Sequence, residues 1–284
     1  MTAVSSEELT FAYHARGHAT AHDDKAAVTA QPEWQVHQAH IRCVLEAGRE
    51  VLGHVTDLGY AVQDQTAMRV MKHGVAKRLS MLWYSFRDIT TMAPPDRREP
   101  VPPEDMAYVD LALNTIYGNL SLILDGYAEV LARCLGRLRP TTMPPRACLF
   151  DPGWPEAGPH WLTAPLQAMR AQYGQWFRDL SAYRELSHRP LPHAAVCTVV
   201  YTPAEERAFR AIEAEAELAL RRGDFPAAKR HNRELDKLGL FRLHFANPDI
   251  AGRNAVYPVV PDDYGALIAV AGAFNLLIAR SAVA

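Results

Sequence analysis

Between positions 109 and 138 the chain carries an apolar stripe: Val109, Leu113, Ile116, Leu120, Ile123 or Leu124, Tyr127, Leu131 and Leu138. Steps of three and four residues are the signature of one buried helix face. The spacing predicts a helix over about 104–138, stopped by Pro140, Pro144 and Pro145. A helix this long hides its stripe only if other helices pack along it, so the rest of the chain must supply them.

It does so with the same periodicity. Val36, Val44, Ala47 and Val51, bordered by Trp34, Ile41, Leu45 and Leu52, predict a helix over 33–53. Met68, Met71, Val75, Leu79, Leu82, Phe86 and Ile89 predict a second, which Pro94 and Pro95 stop. Pro165 suits the first turn of a further helix, along which Leu166, Met169, Tyr173, Trp176, Leu180 and Tyr183 recur. Arg189 precedes Pro190 and is biased away from helical geometry, so that helix should finish near His188. Four long helices with proline-bounded connections make a mostly α fold, an antiparallel helical bundle. A helical, partly extended C-terminal extension follows. In it, 195–201 reads as a strand, 203–222 and 225–238 as a charged helical hairpin turning at Arg222-Gly223-Asp224, and 241–245 with 256–260 as paired short strands. The expected organisation is a loose arm at 1–30, a bundle at 31–193, and an extension at 194–284 whose terminal helix, 262–281, packs on the bundle.

Composition narrows the function classes. Of 284 residues 49% are hydrophobic and 22% charged, and the net charge is −2. Tight nucleic-acid binding draws on phosphate neutralisation, so any such contact here must come from a local patch. The first ten residues contain Glu7 and Glu8 and lack a secretory pattern. The run 264–279 is shorter than the ~20 residues that span a bilayer and is interrupted by Asn275. A cytoplasmic protein with no membrane partner is the expectation. Cys43, Cys134, Cys148 and Cys197 are scattered, without CxxC spacing, and read as buried reduced thiols.

One constellation carries chemistry. A helical residue advances about 100° around the axis, so Phe177, Ser181, Arg184 and His188 fall on one line. Asn114, Tyr117, Ser121 and Asp125 form a similar line on the 104–138 helix. Both lines border the apolar face. An imidazole can take a proton from a ribose 2′-hydroxyl or give one to the leaving oxygen. A guanidinium one turn away can hold the phosphate and offset developing charge. Arg178, Arg189 and Lys72 or Arg78 would add phosphate contacts. A structural alternative stands beside this: cations in a last helical turn complement its negative end, and Arg184 could pair with Asp125 across the bundle.

The run Tyr183-Arg184-Glu185-Leu186-Ser187-His188-Arg189-Pro190-Leu191-Pro192 resembles the closing helix of HEPN-type domains. With Leu113-Asn114-Thr115-Ile116-Tyr117 and Leu124-Asp125, it is similar to a group of uncharacterised bacterial HEPN-like proteins, chiefly over 80–193. The resemblance implies a four-helix bundle, commonly dimeric, acting as a metal-independent RNase in a toxin or defence system. It implies RNA and a homodimer or antitoxin protein as partners and no cofactor. Arg184 and His188 are then catalytic, with Asn114 and Asp125 in support. A catalytically silent interaction or RNA-binding module is the competing expectation.

Other candidates are weaker. His14, His18 and His22, with Asp23 and Asp24, have the spacing of ligands on a helix face, but Gly17 and Thr20 favour a solvated arm. The sequence carries no Gly-rich phosphate loop, GxSxG elbow or HExxH motif.

Overall fold

The structure, a computed structural model, describes residues 33–99, 101–136, 160–187, 194–246 and 254–283; for 160–161, 181–187, 246 and 282–283 it describes the backbone alone. Among the described residues the chain is mostly helical. Helices α1 (Glu33–Ala61), α2 (Gln65–Arg69), α3 (Lys77–Met92), α4 (Pro103–Cys134) and α5 (His160–Ser187) precede strand β1 (Ala194–Val200). Helices α6 (Pro203–Arg221) and α7 (Phe225–Leu235), strands β2 (Leu240–Ala246) and β3 (Asn254–Ala255), and helix α8 (Val256–Val283) complete it. A π-helical segment, Val70–Ala76, joins α2 to α3.

The predicted stripe is the core of α4: Val109, Leu113, Ile116, Leu120, Ile123, Leu124, Tyr127 and Leu131 are all fully buried. The helix ends before 138, because Gly136 takes a left-handed φ of 67° and its N–H turns back to the Arg133 carbonyl (2.9 Å). Helix α1 runs eight residues beyond the predicted 53, since Val55 and Gly59 continue the buried face past Gly53. Helix α5 starts at His160, so Pro165 lies inside the helix, where it forgoes one backbone bond, rather than in its first turn.

Helix α8 is as central as α4, packing on α1, α4 and α5. Tyr264 meets Phe86 edge-on (5.2 Å between centroids) and Phe274 stacks on Tyr127 (5.3 Å). Among the described helices it alone, over Val256–Ser281, is long and apolar enough to cross a membrane, and 61% of that window is buried inside the protein. Its apolar surface is used against other helices. Gly48 of α1 marks the closest approach, where an added Cβ would overlap the Tyr264 hydroxyl and lie 3.0 Å from its Cζ. Phe86 prevents the ring from retreating. Gly48→Ala should therefore lower stability by about 1–2 kcal/mol in urea unfolding, although alanine is the better helix former by ~1 kcal/mol.

The sheet corrects the predicted pairing. Strand β2 runs antiparallel to β1, with Val200 opposite Leu240 and Ala194 opposite Ala246, and among the described residues its other edge meets Asn254–Ala255. Residues 256–260 begin α8 instead, with one extended residue, Tyr257 (φ −108°, ψ 125°), ahead of Pro258. Pro258 and Pro261 lack the N–H that a ladder needs. The α6–α7 hairpin thus forms the connection between two paired strands. It opens with a capping box: Glu205 N–H donates to Thr202 Oγ1 (3.3 Å), and Thr202 N–H donates to Glu205 Oε2 (2.9 Å). Bonds from the Thr202 backbone and hydroxyl hold the Glu205 carboxyl below its usual range. A depressed carboxyl contributes stability above its unfolded pKa and loses it as pH falls through the folded value. Thr202→Ala should cost about 1 kcal/mol near neutral pH, and less in acid below the Glu205 titration, by thermal unfolding.

Candidate functional site

Three of the predicted residues lie on α4, where the chain returns to it after α5. Ala195 N–H, at the start of β1, donates to Asp110 Oδ1 (2.5 Å) and ties the returning chain to the N-terminal half of α4. One turn further along α4, the Asn114 amide donates to the Asp110 carbonyl (2.8 Å). Next comes Tyr117, whose hydroxyl donates to Asp263 Oδ2 on α8 (3.0 Å) and whose ring lies 5.3 Å from that of Phe245 on β2. Two turns on, Asp125 is half-buried.

The polar stripe expected at the margin of the core is therefore deeper than predicted. Tyr117 is 1% exposed and Ser121 3%. Tyr117, expected as a supporting or substrate-binding residue, is enclosed and bonds to α8 through Asp263. Burying a carboxylate is costly unless it is hydrogen-bonded. Asp263, 1% exposed, satisfies that requirement in part through Tyr117.

The predicted cations are distributed differently. Arg178 is exposed on α5, its guanidinium donating to Gln175 Oε1 (2.7 Å). Arg184 follows six residues later, about 9 Å along the axis; its backbone is helical and its side chain lies outside the description. His188 and Arg189 also lie outside the described residues. Arg78 donates to Asn119 Oδ1 (2.7 Å), and Asn119 in turn donates to the Thr115 carbonyl (2.7 Å), so this guanidinium is fixed on the flank of α4. The Lys72 ammonium sits 3.5 Å from the centroid of the Tyr60 ring, a cation–π contact.

Nothing among the described residues gathers three His, Cys, Asp or Glu side chains to hold a metal; His14, His18, His22, Asp23 and Asp24 are outside them. Cys43 is exposed, contrary to the buried thiol expected, because it lies on the outer face of α1. Cys134 and Cys197 are half-buried, and burial pushes both thiols up. Cys197 borders a recess of about 20 Å³ between the sheet and Ala93–Arg97, too small for a nucleotide.

Sequence reasoning missed Asp110, Asn119 and Asp263. Only Asp263 left a signal: it is an acid in the first turns of the most apolar helix, which α8 must bury. Comparison with protein-family models, curated proteins and solved structures found no match to the chain.

Proposed function

We propose that this chain is a HEPN-type, metal-independent endoribonuclease in which Arg184 and His188 act on the scissile phosphate. The observation that carries the reading is the anchoring of β1 to Asp110. The Ala195 N–H at the start of β1 bonds to Asp110 on α4, one turn from Asn114, and α4 also packs against α5, whose backbone carries Arg184. Under this reading His188 takes the ribose 2′-hydroxyl proton, the 2′-oxygen attacks phosphorus, and the bond to the 5′-oxygen breaks as that oxygen takes a proton from water. The products are a 2′,3′-cyclic phosphate and a 5′-hydroxyl. Arg184 offsets the charge that develops on the phosphoryl oxygens. Arg178 and Arg189 contact flanking phosphates, while Asn114 and Asp125 support the site. RNA, a second copy of the chain and an antitoxin-like protein are the partners, in the cytoplasm.

The test is incubation of the purified chain with RNA in EDTA, with the product ends identified by mass spectrometry. Equal cleavage by wild type, Arg184→Ala and His188→Ala would remove the proposal. A second reading, a catalytically silent binding module, is favoured by the internal use of Tyr117 and Asn119, whose polar atoms bond within the protein.

A further inference from the structure

Among the described residues, α6 and α7 pack against each other rather than against the bundle. Their shared face is small and apolar: Ala216 and Ala219 on α6, Ala228 on α7. The two outer faces differ in charge chemistry. On α6, Arg210 pairs with Glu206 and Arg221 with Glu217 (3.2 Å), each one turn earlier, and Glu213 and Glu215 leave the helix with an excess of carboxylates. On α7 and at its entrance, Arg222, Lys229, Arg230 and Arg233 are exposed and form no ion pair with a described residue.

Geometry groups these cations with an aromatic. At about 100° per residue, Phe225, Lys229, Arg233 and Arg230 occupy an arc of roughly 140° that leaves out Ala228 and takes in one carboxylate, Asp236 at the C-cap. Phe225 heads the row at the hairpin tip and is 70% exposed. Within this arc the cations outnumber the carboxylates, and the exposed ring lies beside them.

We propose that the outer face of α7, with Arg222 and Phe225, binds single-stranded RNA. Cations spaced along a helix follow a phosphate chain, and an exposed ring offers a stacking platform to an unpaired base. With a net charge of −2 overall, affinity has to come from such a patch. The choice of RNA over DNA rests on the nuclease reading; the surface itself does not.

Fluorescence anisotropy with a labelled single-stranded RNA 20-mer tests this, using the full chain in a His188→Ala background so that the probe stays intact. Lys229→Gln/Arg230→Gln/Arg233→Gln should weaken binding at least tenfold and flatten the slope of log affinity against log salt by about two, at roughly 0.7 per phosphate released. Phe225→Ala should weaken binding about five- to a hundredfold with the slope unchanged. Neither should move the thermal midpoint, since these side chains are solvent-facing. Unchanged affinity in the triple variant overturns the proposal. So does equal binding of duplex RNA that ignores Phe225, or a triple variant that keeps RNA but loses salt-sensitive self-association. A chain that cuts RNA yet ignores the hairpin substitutions loses this inference alone. One that binds through the hairpin and never cuts loses only the nuclease assignment.

Discussion

His188→Ala is expected to slow RNA cleavage about 10²- to 10⁴-fold with EDTA present, the range lost when a positioned general acid–base group is removed. Arg184→Ala should cost a comparable factor, and Arg184→Lys should recover little of it. An ammonium keeps the charge but loses the planar fork that holds two phosphoryl oxygens at once. The double variant should be hardly slower than the worse single one, because groups that act on one transition state are not additive. Circular dichroism and thermal unfolding of each variant separate chemistry from folding: a loss of activity with an unchanged midpoint supports the assignment. Multiplicative effects would mean that the two residues act on different steps.

Asp263→Asn gives the same experiment a second edge. The amide keeps the shape of the side chain, and its oxygen can still accept from Tyr117. Tyr117→Phe leaves that acceptor short of a donor. If the pair only holds α4 to α8, both substitutions should lower the midpoint while cleavage per folded molecule stays constant. If it also positions the chain that carries His188, cleavage should fall in proportion to neither population nor midpoint.

How much of this was legible beforehand depended on the range of the interaction. Helix α4 was readable because its apolar residues from Val109 to Leu131 repeat at helical steps over about six turns, a period a strand does not satisfy. Its end was misplaced because Gly136, a single left-handed residue, outweighs the apolar Leu138 that prolongs the pattern. Strand β2 was recognised but paired wrongly. Two short apolar runs near one another in sequence resemble a hairpin, whereas its real partner, β1, lies across the whole α6–α7 insertion. The site shows the same limit. The stripe Asn114-Tyr117-Ser121-Asp125 was visible as a line on a helix, but its depth depends on α8, and the acid that meets Tyr117 is 146 residues further along the chain. Arg184 and His188 were singled out by helical spacing and by a resemblance, which fix neither the direction of their side chains nor what faces them.

Phe274→Ala should lower stability by about 3–5 kcal/mol, the cost of emptying a fully buried aromatic position. The ring is 0% exposed and stacks on Tyr127, whose hydroxyl lies beside Asn275 and is pushed up by burial. For a chain of this size that corresponds to a fall of about 10 °C in Tm. The experiment decides more than the strength of one contact. Were α8 an appendage docked on a self-sufficient bundle, the variant would melt in two steps, with the α1–α5 signal unchanged and only the terminal helix released early. The structure argues otherwise. Tyr264 fills the space left by Gly48 and meets Phe86, Phe274 covers Tyr127, and Asp263 accepts from the Tyr117 hydroxyl, so α1, α3 and α4 each have a contact completed by α8. A single cooperative transition at the lower temperature is therefore expected, reported alike by tryptophan fluorescence and far-UV circular dichroism. Because the same helix supplies both core volume and the Asp263 carboxylate, the loss of packing should be felt at the Tyr117 end as well, three turns away along α8.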